Sequence, residues 1–291
     1  MEKINAVSLK QRLKRYKRSP ISLVLYIAVC LSALITLGML LLLVGHILIK
    51  GIPNLSADMF SPEYNSENLS LLPALINTVI MTALSLLLAV PVGVGAAVYL
   101  TEYAKRGNKA VELVRITAET LSGIPSIVYG LFGYLFFVAR LKLGLSLISG
   151  ALTLAIIILP LVMRTTEEAL KAVPDSFREG SYGLGAGKLR TVFKIVLPSA
   201  VSGILSGVIL SVGRIVGESA ALIYTAGTVS QTATSLLDST STLSVHMYLL
   251  ASEGLHIDKT YATAVVLLII VVVINGLSAQ AAKKLGRGKQ G

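Results

Sequence analysis

Six stretches of this 291-residue chain are apolar for long enough to cross a bilayer, and nothing else in it narrows the possible fold as far. A hydrocarbon core about 30 Å thick takes roughly 20 helical residues at 1.5 Å each. Continuous rather than alternating apolar runs select helices. The spans fall at residues 21–49, 71–100, 116–139, 145–164, 199–227 and 260–282. The first, second and fifth exceed the minimum and should tilt or project. With 54% hydrophobic and only 14% charged residues, the chain reads as an all-α membrane protein of about six transmembrane helices.

Charge gives the orientation. Residues 1–18, 101–115, 164–198 and 283–291 hold 21 of the 26 Lys and Arg. These alternate segments are expected in the cytoplasm, together with both termini. The opposite loops are expected to be external and carry Asp58, Glu63, Glu67, Asp238, Glu253 and Asp258. The net charge of +11 comes in clusters between apolar segments, with no aromatic-studded basic patch, so it points to membrane topology and not to nucleic acid. The first apolar run is longer than a signal-peptide core and reads as an uncleaved span. The lone Cys30 excludes a disulfide framework and a cysteine metal site. The expected divisions are a basic tail over 1–20, a first helix and external loop over 21–70, a transmembrane domain over 71–283, and a basic tail over 284–291.

Two connections exceed simple turns: 165–198 on the cytoplasmic side and the Ser- and Thr-rich 228–259 outside. Within the first, "PDSFREGSYGLGAGKLRTVFKIVLP" predicts a short helix after Pro174, capped by Asp175 or Ser176, with Phe177, Ser181 and Leu184 near one face. Gly183, Gly185 and Gly187 should end it in a tight turn. A second amphipathic piece, with Leu189, Val192, Phe193 and Val196 apolar, returns the chain to Pro198. Such a helix suits docking against a soluble partner. "GLGAGKL" is not a phosphate-cradling loop, because Tyr182 stands where its first glycine belongs and Leu189 where Ser or Thr does.

Glu179, Gly185, Ile195, Leu197 and Pro198 fit E-A-A-x3-G-x9-I-x-L-P, with Gly180 and Ser181 in place of the alanines. This loop resembles the cytoplasmic signature of ABC importer membrane subunits of the type I fold. The resemblance implies a coupling helix seated in a cleft of an ATPase subunit. Glu179 would pair with a basic group there or cap its own helix, Gly185 would permit the turn, and Phe177, Tyr182 and Leu184 would supply contact area. ATP and Mg would be bound by that separate ATPase, and this chain would need no cofactor of its own.

"GRIVGESAALIYTAG", residues 213–227, places Arg214 and Glu218 in an apolar run at i and i+4. Charges at such depth cost roughly 2.5–3.5 kcal/mol and usually face a bundle interior or an aqueous path. One reading is an ion pair that fixes helix packing. The other is a translocation site in which the guanidinium fork receives an oxyanion, with Glu218, Ser219 and Thr225 adding hydrogen-bonding groups. Glu218 would then orient Arg214 or accept a proton-bearing phosphate hydroxyl, which sulfate lacks. Pro125 is expected to bend the third span, while Gly123 and Gly130 either assist that bend or allow close helix packing. His246 and His256 read as surface polar residues, and no metal-ligating set is present.

"LSGIPSIVYGLFGYLFF" at 121–137, the Arg214 segment and "TLSVHMYLLASEG" at 242–254 resemble the PstA-type membrane subunits of bacterial phosphate ABC importers. The resemblance implies a PstC-like sister permease, two copies of an ATPase and an extracellular phosphate-binding protein that meets 228–259, all in a bacterial plasma membrane. Related importers of sulfate, molybdate or phosphonate stay open as alternatives. A gradient-driven secondary transporter is disfavoured because paired broken helices with carboxylate ion sites are not evident. No grouping of nucleophile, base and orienting residue supports an enzyme.

Overall fold

The computed structural model describes residues 20–65, 67–105 and 107–287. Most of the basic N-terminal tail and the last four residues of the C-terminal one lie outside them. Among the described residues the chain is helical and has no strand. The helices are α1 (Pro20–Gly51), α2 (Leu72–Val98), α3 (Lys109–Ser122), α4 (Ser126–Gly133), α5 (Leu147–Lys171) and α6 (Asp175–Gly183). They continue with α7 (Lys188–Thr191), α8 (Leu197–Val216), α9 (Ala220–Thr225), α10 (Leu243–Glu253) and α11 (Ile257–Arg287). Five continuous helices can span a membrane, and the bent pair α3–α4 makes a sixth.

The bundle is centred on α5, which is 61% buried over its most apolar stretch and is flanked by α2, α8, α4 and α9. Met81, Leu154, Ile158, Leu222 and Val245 fill the middle of this core. In lipid, apolar burial alone does not drive helices together, so small residues that admit close approach carry the packing. Gly130 is one: a Cβ there would meet the Ala221 Cα at 2.7 Å, so α4 and α9 touch backbone to backbone. α11 packs on α8 and α1, and α1 leans chiefly on α11.

Three spans differ from the hydropathy reading. α5 runs on to Lys171, well past 164, because Arg164, Glu167, Glu168 and Lys171 are polar yet helix-compatible. They pair at i,i+4, Arg164 with Glu168 at 3.1 Å and Lys171 with Glu167 at 2.6 Å. The third span is no straight rod: α3 and α4 meet at 103° across Gly123, Ile124 and Pro125. Pro125 is extended, at φ −58° and ψ 139°, and has no N–H with which to continue α3.

The fifth span starts earlier, at Lys188, and breaks earlier, at Gly217. A widened π turn over Val192–Val196 precedes Pro198 and absorbs its missing N–H. Ser219 then caps the separate short helix α9.

The 228–242 segment folds back over the end of the bundle opposite α6. Asn77 of α2 donates to the Gln231 and Ser241 carbonyls at 2.8 and 3.2 Å and accepts from the Ala233 amide at 3.0 Å. The Leu147 and Ile148 amides, at the start of α5, donate to the Asp238 and Leu236 carbonyls at 2.9 Å each. The rest of the long connection is α10.

Candidate functional site

Two regions of the described structure hold functional side chains that the sequence singled out. The first is the turn of α6. Asp175 is the first residue of the helix and not its cap, since Pro174 holds the cap position with no side-chain bond. Gly185 adopts φ +81°, the left-handed conformation that glycine takes without strain. Its amide donates to Tyr182 at 2.9 Å, and the Ala186 amide donates to Ser181 at 3.1 Å, which closes the turn. The Ser181 and Thr191 hydroxyls meet at 2.8 Å and fasten α6 to α7.

Around this turn Phe177, Gly180, Ser181, Gly185, Ile195 and Pro198 line a shared groove of about 960 Å³. Leu184 stands 91% exposed at its rim, and Phe177, Tyr182, Leu189 and Phe193 are exposed as well. Of the four apolar residues of the second amphipathic piece, Val192 and Val196 are buried, as is the neighbouring Thr191. Leu197 is half-buried and joins α8 to the core below. Glu179 is exposed, makes no ion pair among the described residues, and does not cap its own helix.

The residue that anchors α6 was not singled out from sequence. Arg178 donates from Nη2 to Glu102 Oε1 at 2.7 Å and to the Leu170 carbonyl at 2.9 Å. From Nη1 it reaches the Val173 carbonyl at 2.8 Å and Asp175 Oδ1 at 3.1 Å, and from Nε Glu102 Oε1 at 3.2 Å. The Arg178 side chain is 14% exposed and that of Glu102 6%. The hydrogen bond to Glu102 raises the guanidinium pKa still further above its ordinary value. One side chain thus joins α6 to the π turn Tyr99–Tyr103 that continues α2 and to the last carbonyls of α5. Nearby, Arg115 and Lys171 crowd the same buried Glu167 oxygen at 2.7 and 2.6 Å, neither aligned for a hydrogen bond.

The second region is the break between α8 and α9. Arg214, in the last turn of α8, is half-buried and makes no ion pair or hydrogen bond among the described residues. It does not pair with Glu218, because the helix ends at Val216 and Gly217 turns the chain away before the i+4 geometry is completed. Glu218 is buried. Its Oε1 accepts from the Ala221 amide at 3.2 Å and its carbonyl accepts from Ser244 Oγ at 2.6 Å, so it ties α9 to α10.

Ser219 is half-buried at the start of α9, with no side-chain cap bond. Thr225 is wholly buried, its hydroxyl donating to the Ala221 carbonyl at 2.8 Å.

The elbow of the third span lies beside this break. Tyr129, buried in α4, donates its hydroxyl to the Leu121 carbonyl at 2.7 Å, which satisfies an acceptor freed by the bend. Gly123 and Pro125 are exposed at the elbow, and no close packing surrounds Gly123.

His246, expected at the surface, is 1% exposed. One of its ring nitrogens bonds the Leu69 carbonyl, and burial lowers the ring's pKa. His256 is exposed. Among the described residues no three His, Cys, Asp or Glu gather as metal ligands.

Residues 89–287 match the family model of the binding-protein-dependent transport system inner membrane component. The chain is 34% identical over 268 residues to the phosphate transport system permease protein PstA of Yersinia pestis, which covers 91% of this chain and 89% of that one. It is 37% identical over 199 residues to the probable ABC transporter permease protein YqgI of Bacillus subtilis, 68% of this chain and 67% of that one. A bacterial alginate ABC transporter solved with its pentasaccharide-bound periplasmic protein shares the fold at a TM-score of 0.68 and 14% identity, over 93% of this chain and 98% of that one. A chain with this bundle, this exposed turn and these relatives belongs to the binding-protein-dependent inner membrane components, the permease subunits of ABC importers.

Proposed function

We propose that this permease carries inorganic phosphate, in its hydrogen-bearing forms, along a path that passes Arg214. The observation that carries the reading is a half-buried guanidinium with no counter-ion among the described residues, in a membrane-spanning chain, beside a broken helix and an elbow. Such a charge is retained where an anion or water reaches it. Irregular backbone at membrane depth is likewise tolerated where it lines a cavity or meets protein.

The names of the relatives support phosphate over other oxyanions. Glu218 and Ser219 stand across the break from Arg214. Glu218 Oε1 is engaged, and the second carboxylate oxygen is the acceptor for a phosphate hydroxyl. The groove around Gly185 receives the ATPase, with Phe177, Tyr182 and Leu184 as contact area and Glu179 for a basic group.

The assembly is this chain, a PstC-like sister, two ATPase copies that bind ATP and Mg, and an external phosphate-binding protein. The end that bears α6, the start of α1 and the end of α11 faces the cytoplasm in this reading, and the basic tails beyond them are expected there too. No nucleic acid takes part.

Uptake by the reconstituted assembly tests this. ATP-dependent entry of labelled phosphate but not sulfate is expected, and Glu218→Gln should narrow that preference. Equal uptake of both anions by the unaltered assembly would refute the substrate, and uptake that persists without ATP would refute the coupling.

A further inference from the structure

Residues 62–64, residues 228–232 and α10 enclose a cavity of about 760 Å³ at the end of the bundle opposite α6. One of its walls is His246, whose buried Nε2 has no hydrogen-bonding partner. The Leu69 carbonyl acts on the ring and burial disfavours its charged form; with the proton on the nitrogen facing that carbonyl, Nε2 offers a lone pair. Tyr64 stands edge-on to this ring at 5.9 Å. Burial, and then the nearby Glu253 carboxylate, push the Tyr64 phenol above its ordinary pKa.

Glu63 and Glu253 lie exposed on the rim, and no cation comes within ion-pair reach of either among the described residues. The lining contains no Lys or Arg. Glu253 is also the last residue of α10, ahead of the left-handed cap Gly254. A carboxylate at the negative end of a helix dipole reverses the arrangement that favours a helix, and an incoming cation corrects it. A metal ion is a poor occupant, since no three-ligand cluster is present among the described residues.

We propose that this cavity is a socket for a lysine or arginine side chain presented by the external binding protein: Glu63 and Glu253 draw the cation in, Tyr64 offers its ring, and His246 Nε2 accepts a hydrogen bond. The proposal rests on the transport reading above, which places this end of the bundle outside. It adds the chemistry by which the partner is recognised. Carboxylates at the rim of an interface act mainly on encounter rate and salt dependence, while a buried acceptor holds the docked side chain in place. The exposed aromatic face suits a desolvated cation.

The test uses the whole importer in nanodiscs, titrated with its phosphate-binding protein while ATPase stimulation is read. Glu63→Gln combined with Glu253→Gln should raise the half-saturating concentration of binding protein about tenfold at low salt and flatten its salt dependence. Glu253→Lys should raise it further, and exchanging the matching Lys or Arg of the binding protein for Glu should restore it. Copurification of the variant assembly verifies folding. If the double variant titrates like the wild type at both low and high salt while the wild type imports phosphate, the socket is refuted and the transport reading stands. If the wild type imports no phosphate, that reading falls and takes the socket with it. Competition by millimolar calcium that disappears in the double variant would assign the cavity to a metal and overturn the proposal.

Discussion

Arg178 and Arg214 are the same side chain put to opposite uses. Arg178 gives hydrogen bonds to two carboxylates and two backbone carbonyls, and its position is over-determined by three elements of the fold. Arg214 has no such partner among the described residues, although it stands in far more apolar surroundings. A guanidinium whose donors are all used is a joint. One whose donors are free still has hydrogen bonds to make, which is what the proposed anion path asks of Arg214. The contrast teaches that burial of a charge does not by itself mark a function; the inventory of its partners does.

The contrast can be broken most sharply at Arg178. Arg178→Ala leaves Glu102 buried without compensation, a change that costs about 3–5 kcal/mol in comparable pairs. The assembled complex should show a large drop in thermal stability and weak copurification of the ATPase. Arg178→Lys keeps the charge but not the fork and should recover only part of it.

Arg214→Ala should do the reverse, with assembly and stability retained and phosphate uptake down roughly tenfold or more, as expected for loss of a charge-assisted bond of about 1.5–3 kcal/mol. A destabilised Arg214→Ala complex with normal uptake per intact assembly would erase the distinction between the two arginines.

Gly185→Val sharpens the joint side of the comparison. A β-branched residue at φ +81° is strained by roughly 1–2 kcal/mol, so the turn should re-form differently and ATPase copurification should fall without loss of the membrane bundle, as circular dichroism can check. The smallest effect belongs to Asp238, whose carboxylate accepts from the Thr234 and Ser235 amides and is held below its usual pKa by them. A depressed carboxylate contributes above its unfolded pKa, and that contribution is lost as the pH falls through the folded value. Protection of the Ser235 and Thr234 amides, measured relative to their intrinsic exchange rates at each pH, should therefore fall only under acid conditions, and Asp238→Asn should remove that acid limb.

Much of this architecture is readable from hydropathy because lipid leaves a segment so few choices. The spans and the glycine turn follow from run length, Pro198 and Gly185. Hydropathy is blind where polar residues prolong a helix, as at Arg164–Lys171, and where a glycine ends one within an apolar run, as at Gly217. The Arg214–Glu218 spacing suggested a pair only while the helix was taken as unbroken.

Arg178 escaped notice because a basic residue in a basic loop carries no local signal. Its counterpart Glu102 is distant in sequence, and the one available hint was an acidic residue at the very end of an apolar run. The burial of His246 depends on the fold-back of 60–71 and 228–242, which no periodicity announces.

The elbow at Gly123–Pro125 also bears on how the chain is supplied in the cell. At about 1.5 Å per residue, the 14 residues of α3 span only about 21 Å, short of the hydrocarbon thickness, and the bend leaves exposed backbone that lipid cannot solvate. A copy made without companions would present that backbone to the bilayer and become a target for membrane proteases. The steady-state level of this subunit should then follow the synthesis of its companions.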